Sequence, residues 1–139
     1  MKKLALALAA LALVACQKPK FDAVTSAPPG SVAEYHEQDD DRWIDVTEGV
    51  AFGVSCEDVR STPCSYDGTF VADAAIAAVY RGYSELSDPA KYYADPNSRA
   101  SKTVIVVVGL AVGTTVMRVR TGRGDYAVRI NVKPAPPRA

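Results

Sequence analysis

The sequence is poor in the residues that build metal and haem sites. Its 139 residues include three cysteines and one histidine, His36, too few for most zinc or haem frameworks. Net charge is also absent, because 16 basic residues balance 16 acidic ones, so no positive excess points to nucleic acid. We therefore expect no metal, no cofactor and no nucleic-acid partner.

The sequence also lacks the usual signatures of catalysis. Neither a G-x-S-x-G nor an H-E-x-x-H pattern occurs. His36 falls in a polar segment, and no two carboxylates have a positional reason to work together. We expect one domain at this length, and we expect it to carry no catalytic residues.

An apolar run long enough to cross a bilayer, about 20 residues, is missing. The uncharged apolar stretch of residues 4–15 is shorter and follows Lys2 and Lys3. A positive start followed by a short apolar stretch is typical of a secretory signal peptide.

This stretch ends in Leu13-Val14-Ala15-Cys16, which resembles the lipobox of bacterial lipoproteins. The resemblance implies cleavage between Ala15 and Cys16, a diacylglycerol on the Cys16 thiol and an acyl chain such as palmitate on the new amine. These lipids would anchor the protein to a membrane that it does not span. Gln17 stands where an aspartate would signal inner-membrane retention, so in a Gram-negative host the resemblance implies the outer membrane, facing the periplasm. The alternative is an ordinary secretory signal with a chance cysteine.

Residues 17–40 show no hydrophobic period, and Pro28-Pro29-Gly30 would break a helix. We expect residues 16–40 to form a lipidated flexible stalk with an end-to-end distance of about 25 Å. The acidic run at 39–41 has no second cluster of oxygen ligands at calcium-loop spacing, so a solvated charge run is the favoured interpretation. The proline-rich tail at 134–139 cannot continue a strand, which leaves 41–133 for the domain.

Apolar and polar residues alternate in this domain with the period of β-strands. The apolar positions of three such runs are Val50, Phe52, Val54 and Cys56; Thr115, Met117 and Val119; and Tyr126, Val128, Ile130 and Val132. The last two runs are joined by residues 121–125 and predict a hairpin. Residues 103–108, TVIVVV, are β-branched throughout, which favours a strand covered on both faces.

Residues 72–86 leave two interpretations open. Ile76, Val79, Tyr80 and Tyr83 fall at helical spacing, with Asp73 as a possible N-cap. The resemblance that follows favours strands for this segment.

Residues 45–132 resemble a bacterial Ig-like domain of group 2. The family's strand–Asp–strand pattern is matched by FVADAAIAAV at 70–79, and its turn-and-strand pattern by VGLAVGTTVMRV at 108–119. The alternating run at 126–132 takes the place of the last strand. The resemblance implies an all-β, antiparallel Ig-like β-sandwich with a surface or interaction role and no catalytic residues.

Two features depart from the family pattern. The usual tryptophan before the aspartate is missing, with Phe70 as the nearest large aromatic, and residues 81–102 are inserted in place of a short connection. Loops of this length are often functional. Tyr83, Tyr92 and Tyr93 in the loop, with Tyr80 beside it, would either form a contact surface or close over the end of the sandwich.

Cys56 and Cys64 are the only cysteines left once Cys16 is lipidated. In an exported protein this pair predicts a disulfide. A metal or redox pair is the alternative, but the spacing is not C-x-x-C and no histidine accompanies it.

The predicted hairpin carries two further candidate features. Arg123-Gly124-Asp125 at its tip spells the integrin-binding tripeptide, although the favoured interpretation is that Gly122 and Gly124 serve the turn and the charges keep it solvated. Arg118, Arg120, Arg129 and Lys133 would share its outward face. They would either meet an anionic partner, such as lipid A phosphates or an acidic polysaccharide, or pair with acids of neighbouring strands such as Asp45 and Asp73.

Taken together, these patterns predict a non-enzymatic cell-envelope lipoprotein that displays an Ig-like domain for contact with an envelope protein or polysaccharide. The alternative is an accessory subunit of an envelope assembly or secretion complex. A third hypothesis is surface adhesion through the tripeptide at 123–125.

Overall fold

The computed structural model describes residues 18–58, 62–84, 102–121 and 124–137. All of the regular secondary structure in these ranges consists of β-strands. The strands are β1 Lys20–Ala23, β2 Ala33–Gln38, β3 Asp41–Thr47, β4 Ala51–Asp58, β5 Thr62–Pro63, β6 Ser65–Val71, β7 Ala77–Ser84, β8 Lys102–Gly109, β9 Gly113–Thr121 and β10 Gly124–Lys133. The all-β prediction is confirmed. For Ala77–Ser84 the strand interpretation of residues 72–86 is also confirmed, because β7 pairs along its whole length with β8.

The strands form two sheets that face each other as a sandwich. Sheet 1 has the order β1-β4-β8-β7, with β5 beside β4, and sheet 2 has the order β2-β3-β10-β9-β6. All pairs are antiparallel except β3 with β10, which run parallel from Arg129 opposite Trp43 to Lys133 opposite Thr47. The predicted hairpin is confirmed as β9–β10, with Thr121 opposite Gly124.

Alternate residues of both sheets fill the space between them. The largest fully buried side chains are Phe52, Val54 and Val107 from sheet 1 and Ile44, Val46, Met117, Val119, Val128 and Ile130 from sheet 2. On β8, Ile105 and Val107 enter this core while Val106 and Val108 are half-buried on the outer face of sheet 1. The alternation in the sequence therefore sets which face of each strand points inward.

The strands begin and end at two opposite ends of the sandwich. Five pairs of residues on neighbouring strands mark one end: Gln38 with Asp41, Glu57 with Lys20, Glu57 with Pro63, Ser84 with Lys102, and Thr121 with Gly124. We call this the N-terminal end, because the chain enters β1 there. The C-terminal end carries the turns at 47–51, 71–77 and 109–113, together with residues 133–137. Backbone bonds from Glu48 to Lys133 and from Leu110 to Ile76 join these turns.

The prediction of a flexible stalk at 16–40 is wrong for the residues that the structure describes. Lys20–Ala23 pairs with β4 in sheet 1, and Ala33–Gln38 pairs with β3 in sheet 2. Phe21 is 5% exposed and lies 5.5 Å from the ring of Tyr35. These two short strands place apolar side chains in the core, so the domain begins near Lys20 rather than at 41.

The expected insertion at 81–102 is also shorter than predicted. β7 continues to Ser84 and β8 begins at Lys102, so only residues 85–101 remain between the two strands.

Replacing Phe21 by alanine tests whether the N-terminal segment belongs to the fold. We expect Phe21→Ala to lower the free energy of unfolding by about 3 kcal/mol, since it empties a buried aromatic site. Val24→Ala is the matched control, because Val24 is 40% exposed and its loss should cost less than about 0.5 kcal/mol. Urea unfolding of both variants measures the difference, and equal small effects would mean that this segment is a stalk after all.

Candidate functional site

Several predicted site residues lie outside the part of the chain that the structure describes. Ala15 and Cys16 precede Lys18, and Tyr92, Tyr93 and Arg123 fall in the gaps between described ranges. Tyr83 is a residue of β7, but its side chain is not described. The lipid anchor and the tyrosine contact surface therefore stay predictions.

The predicted disulfide is confirmed. Cys56 is buried at the end of β4, Cys64 follows β5, and the two Cα atoms lie 5.4 Å apart. The backbone amide of Cys64 donates to the carbonyl of Cys56 at 3.0 Å, and Glu57 pairs with Pro63. The bridge fastens the start of β6 to β4 of sheet 1 and so links the two sheets at the N-terminal end.

The tripeptide at 123–125 is partly described. Gly124 has a φ of +132°, which favours glycine, and this supports a turn function for that residue. The Asp125 carboxylate accepts a hydrogen bond from Nε of Arg120 at 3.2 Å. Because an adhesive tripeptide needs its carboxylate available to the partner, this ion pair counts against the adhesion hypothesis.

Acidic neighbours in the same sheet pair with most of the basic hairpin face. Arg129 Nη2 lies 2.9 Å from Asp41 Oδ2, and Lys133 Nζ lies 3.7 Å from Asp45 Oδ1. Arg120 likewise pairs with Asp125, and these ion pairs among the described residues favour the interpretation of cross-strand pairing over an anionic ligand.

The other acid expected opposite this face, Asp73, has a different role. Its Oδ1 accepts from the amide of Ala75 at 2.9 Å, and its own amide donates to Thr115 Oγ1 at 2.9 Å. Asp73 thus fixes the turn between β6 and β7 and does not pair with the hairpin cations.

Three side chains on the outer face of sheet 2 form a stack that the sequence analysis missed. The rings of His36 and Trp43 lie 5.1 Å apart with planes at 18°, and the guanidinium carbon of Arg129 lies 5.6 Å from the centre of the Trp43 ring. Since β2 and β10 flank β3 on opposite sides, His36 and Arg129 cover opposite faces of Trp43. The spacings match the distance between neighbouring strands.

Acidic groups surround this stack. His36 Nε2 lies 3.4 Å from Glu34 Oε2 and 3.6 Å from Asp45 Oδ2, while Asn131 Nδ2 donates to Asp45 Oδ1 at 2.8 Å. Both flat faces of Trp43 are occupied, so the ring offers no open platform for a sugar. The arrangement stabilises the sheet by aromatic and cation–π contacts.

A charged side chain is buried at the N-terminal end of the core. Arg42 is 5% exposed and faces inward from β3. Its Nη2 lies 3.3 Å from Glu37 Oε1, and its guanidinium carbon lies 5.5 Å from the centre of the Tyr126 ring. Glu37 also accepts a hydrogen bond from the Tyr35 hydroxyl at 3.1 Å. The carboxylate and the ring lie against the buried positive charge, while Nε and Nη2 of Arg42 have no hydrogen-bond partner among the described residues.

This cluster shifts the ionisation of Tyr35. Burial raises the pKa of the Tyr35 hydroxyl, and the negative charge of Glu37 and its hydrogen bond raise it further, while Arg42 acts weakly in the other direction. The folded protein therefore favours the neutral phenol.

The sequence contains an alternating pattern around His36 that could have identified β2 as a strand. Ala33 and Tyr35 alternate with Glu34 and His36, which is the pattern of a half-buried strand. Six residues flanked by glycine and an acidic run were too short to stand out. Phe21, in a strand of four residues, gave no periodic signal.

Neither a metal site nor a membrane span is found among the described residues. No group of three or more histidine, cysteine, aspartate or glutamate side chains in these ranges is arranged to hold a metal ion. The same part of the chain contains no helix that is long and apolar enough to cross a bilayer.

Removing the disulfide should weaken the domain without unfolding it. The bridge closes a loop with a sequence separation of 8, for which chain entropy predicts about 2.5 kcal/mol. We expect the free energy of unfolding of the double variant Cys56→Ala, Cys64→Ser to be lower by that amount. The variant should therefore unfold at a lower urea concentration. A reductant should destabilise the parent protein and leave the variant unchanged, and equal sensitivity of the two proteins would contradict the assignment.

Alkaline pH should destabilise the fold through Tyr35. The unfolded chain loses its phenol proton near the ordinary tyrosine pKa of about 10, whereas the folded state with its raised pKa retains that proton. The contribution of Tyr35 is thus present below about pH 10 and is lost as the pH rises above it.

Tyr35→Phe should therefore reduce the loss of stability between about pH 9 and pH 11, while it lowers stability at neutral pH by about 1 kcal/mol through the lost hydrogen bond to Glu37. Tyr80→Phe is the control, because Tyr80 is 54% exposed and lies outside this cluster. Urea midpoints across this range report both effects, and a Tyr35→Phe variant as alkali-sensitive as the control would refute the assignment.

Comparison with known proteins finds similar solved structures but no matching family. No protein-family model and no curated protein matches the chain. Among solved structures, domains 4 and 5 of the S-layer protein SbsC are 15% identical with a TM-score of 0.41, covering 83% of this chain and 53% of that one. Domains 5–6 of SbsC are 19% identical with a TM-score of 0.42, covering 88% and 48%. The chain spans about half the length of these structures, and at such scores the likeness assigns no function.

Proposed function

We propose that this protein is a non-enzymatic, lipid-anchored protein of the bacterial cell envelope whose β-sandwich serves as a contact domain. The observation that carries the proposal is Leu13-Val14-Ala15-Cys16, placed directly after a positive start and a short apolar stretch. Cleavage before Cys16 and acylation of that residue would leave two or more acyl chains, which is enough for stable membrane attachment.

The disulfide supports export from the cytosol. Bridges between cysteines persist in oxidising compartments such as the periplasm and the cell surface. Cys56 and Cys64 form such a bridge, so two independent features of the chain favour the same side of the membrane.

The sandwich supports the Ig-like assignment of the domain. The segment at 70–79 follows the family order of strand, aspartate turn and strand, with β6 ending at Val71 and β7 beginning at Ala77. The segment at 108–119 likewise crosses from β8 through a turn into β9. Membership of the group 2 Ig-like domains is therefore part of the proposal.

The use of the charged residues supports a contact role over a catalytic one. Arg129, Lys133 and Arg120 are each engaged by a carboxylate of the same sheet. Charges paired across neighbouring strands hold the sheet together, which is a structural use of these side chains. Gln17 after the anchor cysteine supports placement in the outer membrane of a Gram-negative host, facing the periplasm.

Replacing the anchor cysteine tests the proposal. We expect Cys16→Ser to abolish incorporation of labelled fatty acid and to move the protein from the membrane fraction to the soluble periplasm, or to leave it as an uncleaved precursor. The double variant Cys56→Ala, Cys64→Ser is the matched control, since it removes two cysteines and keeps the anchor. It should still be labelled and sediment with membranes. A Cys16→Ser protein that still carries fatty acid would overturn the proposal.

A further inference from the structure

The structured domain begins very close to the proposed anchor. Pro19 is buried, and Lys18 forms an ion pair with Asp40 in the turn between β2 and β3. Phe21, two residues later, is inserted in the core. Cys16 precedes Pro19 by three residues, and a fully extended chain of that length reaches about 11 Å at most.

We propose that the N-terminal end of the sandwich stands directly against the membrane surface, with the C-terminal end pointing away from it. The proposal rests on the lipid anchor at Cys16 put forward above. It differs from the stalk predicted from the sequence, because a stalk of residues 16–40 would hold the domain about 25 Å away in no fixed orientation.

The direction of the strands gives this orientation. β1 leaves the N-terminal end at Lys20, and β3 runs the same way from Asp41 to Thr47. A seven-residue strand spans about 24 Å. The turn at 47–51 therefore lies about one strand length farther from the anchor than the turn at 38–41.

The turn between β2 and β3 does not attract this end to the membrane by its charge. Asp39, Asp40 and Asp41 are exposed there, and the nearby cation Lys18 is engaged by Asp40. This acidic turn gains nothing from an anionic leaflet. In the proposal the contact is imposed by the short tether, and it should persist at high salt.

The proposed orientation determines which connecting segments of the domain face the bilayer. Ser84 and Lys102, which flank residues 85–101, belong to the N-terminal end, as do Thr121 and Gly124 on either side of the hairpin tip. Both segments therefore start and finish on the membrane side. Leu110 and Val112, which are 44% and 56% exposed, lie in a turn of the opposite end.

Single cysteines at the two ends allow a direct measurement. Gln38 and Glu48 are both exposed and polar, and they lie beyond opposite ends of β3. In the lipidated protein the Cys16 thiol is blocked and Cys56 is bonded to Cys64, so a cysteine introduced at 38 or 48 is the only free thiol. Each variant, Gln38→Cys and Glu48→Cys, is labelled with a fluorophore in the full lipidated chain. It is then reconstituted into phosphatidylethanolamine–phosphatidylglycerol vesicles that contain a headgroup nitroxide lipid.

We expect the label at 38 to be quenched at least about twofold more than the label at 48, because contact quenching decays well within the ~24 Å of one strand. A third protein carries a 20-residue Gly-Ser insertion between Gln17 and Lys18 as the matched control. The insertion should bring the quenching at 38 down to the level at 48, and raised salt should change neither value in the parent chain.

The outcomes separate the two proposals. Equal quenching at 38 and 48 in vesicle-bound protein of natural tether length, or stronger quenching at 48, overturns the orientation while the lipid anchor stands. A protein that does not bind vesicles and whose Cys16 reacts with the fluorophore overturns the anchor itself.

Discussion

The crossing of the chain from sheet 1 to sheet 2 between Ala23 and Ala33 is the constraint on which the rest of the structure depends. Two threonine hydroxyls hold this crossing, since Thr25 Oγ1 accepts from the Gly53 amide and Thr47 Oγ1 accepts from the Val32 amide, each at 2.8 Å. The crossing brings β1 against β4 and β2 against β3, so one segment of the chain closes the same side of both sheets. It also explains why Phe21 and Tyr35 meet across the sandwich, and why the first residues cannot act as a free linker.

The two outer faces of the sandwich follow different chemistry. On sheet 2, His36 and Arg129 stack on Trp43 and Arg129 pairs with Asp41, and these contacts stabilise the sheet. On sheet 1, small and β-branched residues prevail. A Cβ at Gly82 would lie 2.7 Å from a methyl of Val106, so glycine there allows the valines of β8 to lie across β7. In the part of the chain that the structure describes, neither face carries the free cluster of cations that an anionic ligand would require.

The sequence predicted the part of the fold in which the periodic signal is long. β9 and β10, with nine and ten residues, show an alternation that identifies strand, face and register together. The disulfide followed from counting cysteines, and the turn at Asp73 followed from a resemblance. The strands β1 and β2 could not be predicted, because four or six polar-rich residues take their stability from pairing with β4 and β3 rather than from their own pattern. The His36–Trp43–Arg129 stack joins three strands that are distant in the chain, and only the parallel register of β3 with β10 brings Trp43 beside Arg129.

The proposed short tether would restrict the height and the orientation of the domain at the membrane surface. On a flexible stalk the sandwich would sample a wide volume, and any surface of it could meet a partner. With the proposed anchor at Cys16, only Gln17 and Lys18 would separate the lipid from Pro19, and the domain would keep nearly one height and one orientation. A partner that approaches from the far side then meets the turns that carry Leu110 and Val112. Because the short tether would fix the orientation of these turns before a partner binds, each encounter would lose less orientational entropy. The tether would also raise the effective concentration of the turns at a fixed distance from the membrane.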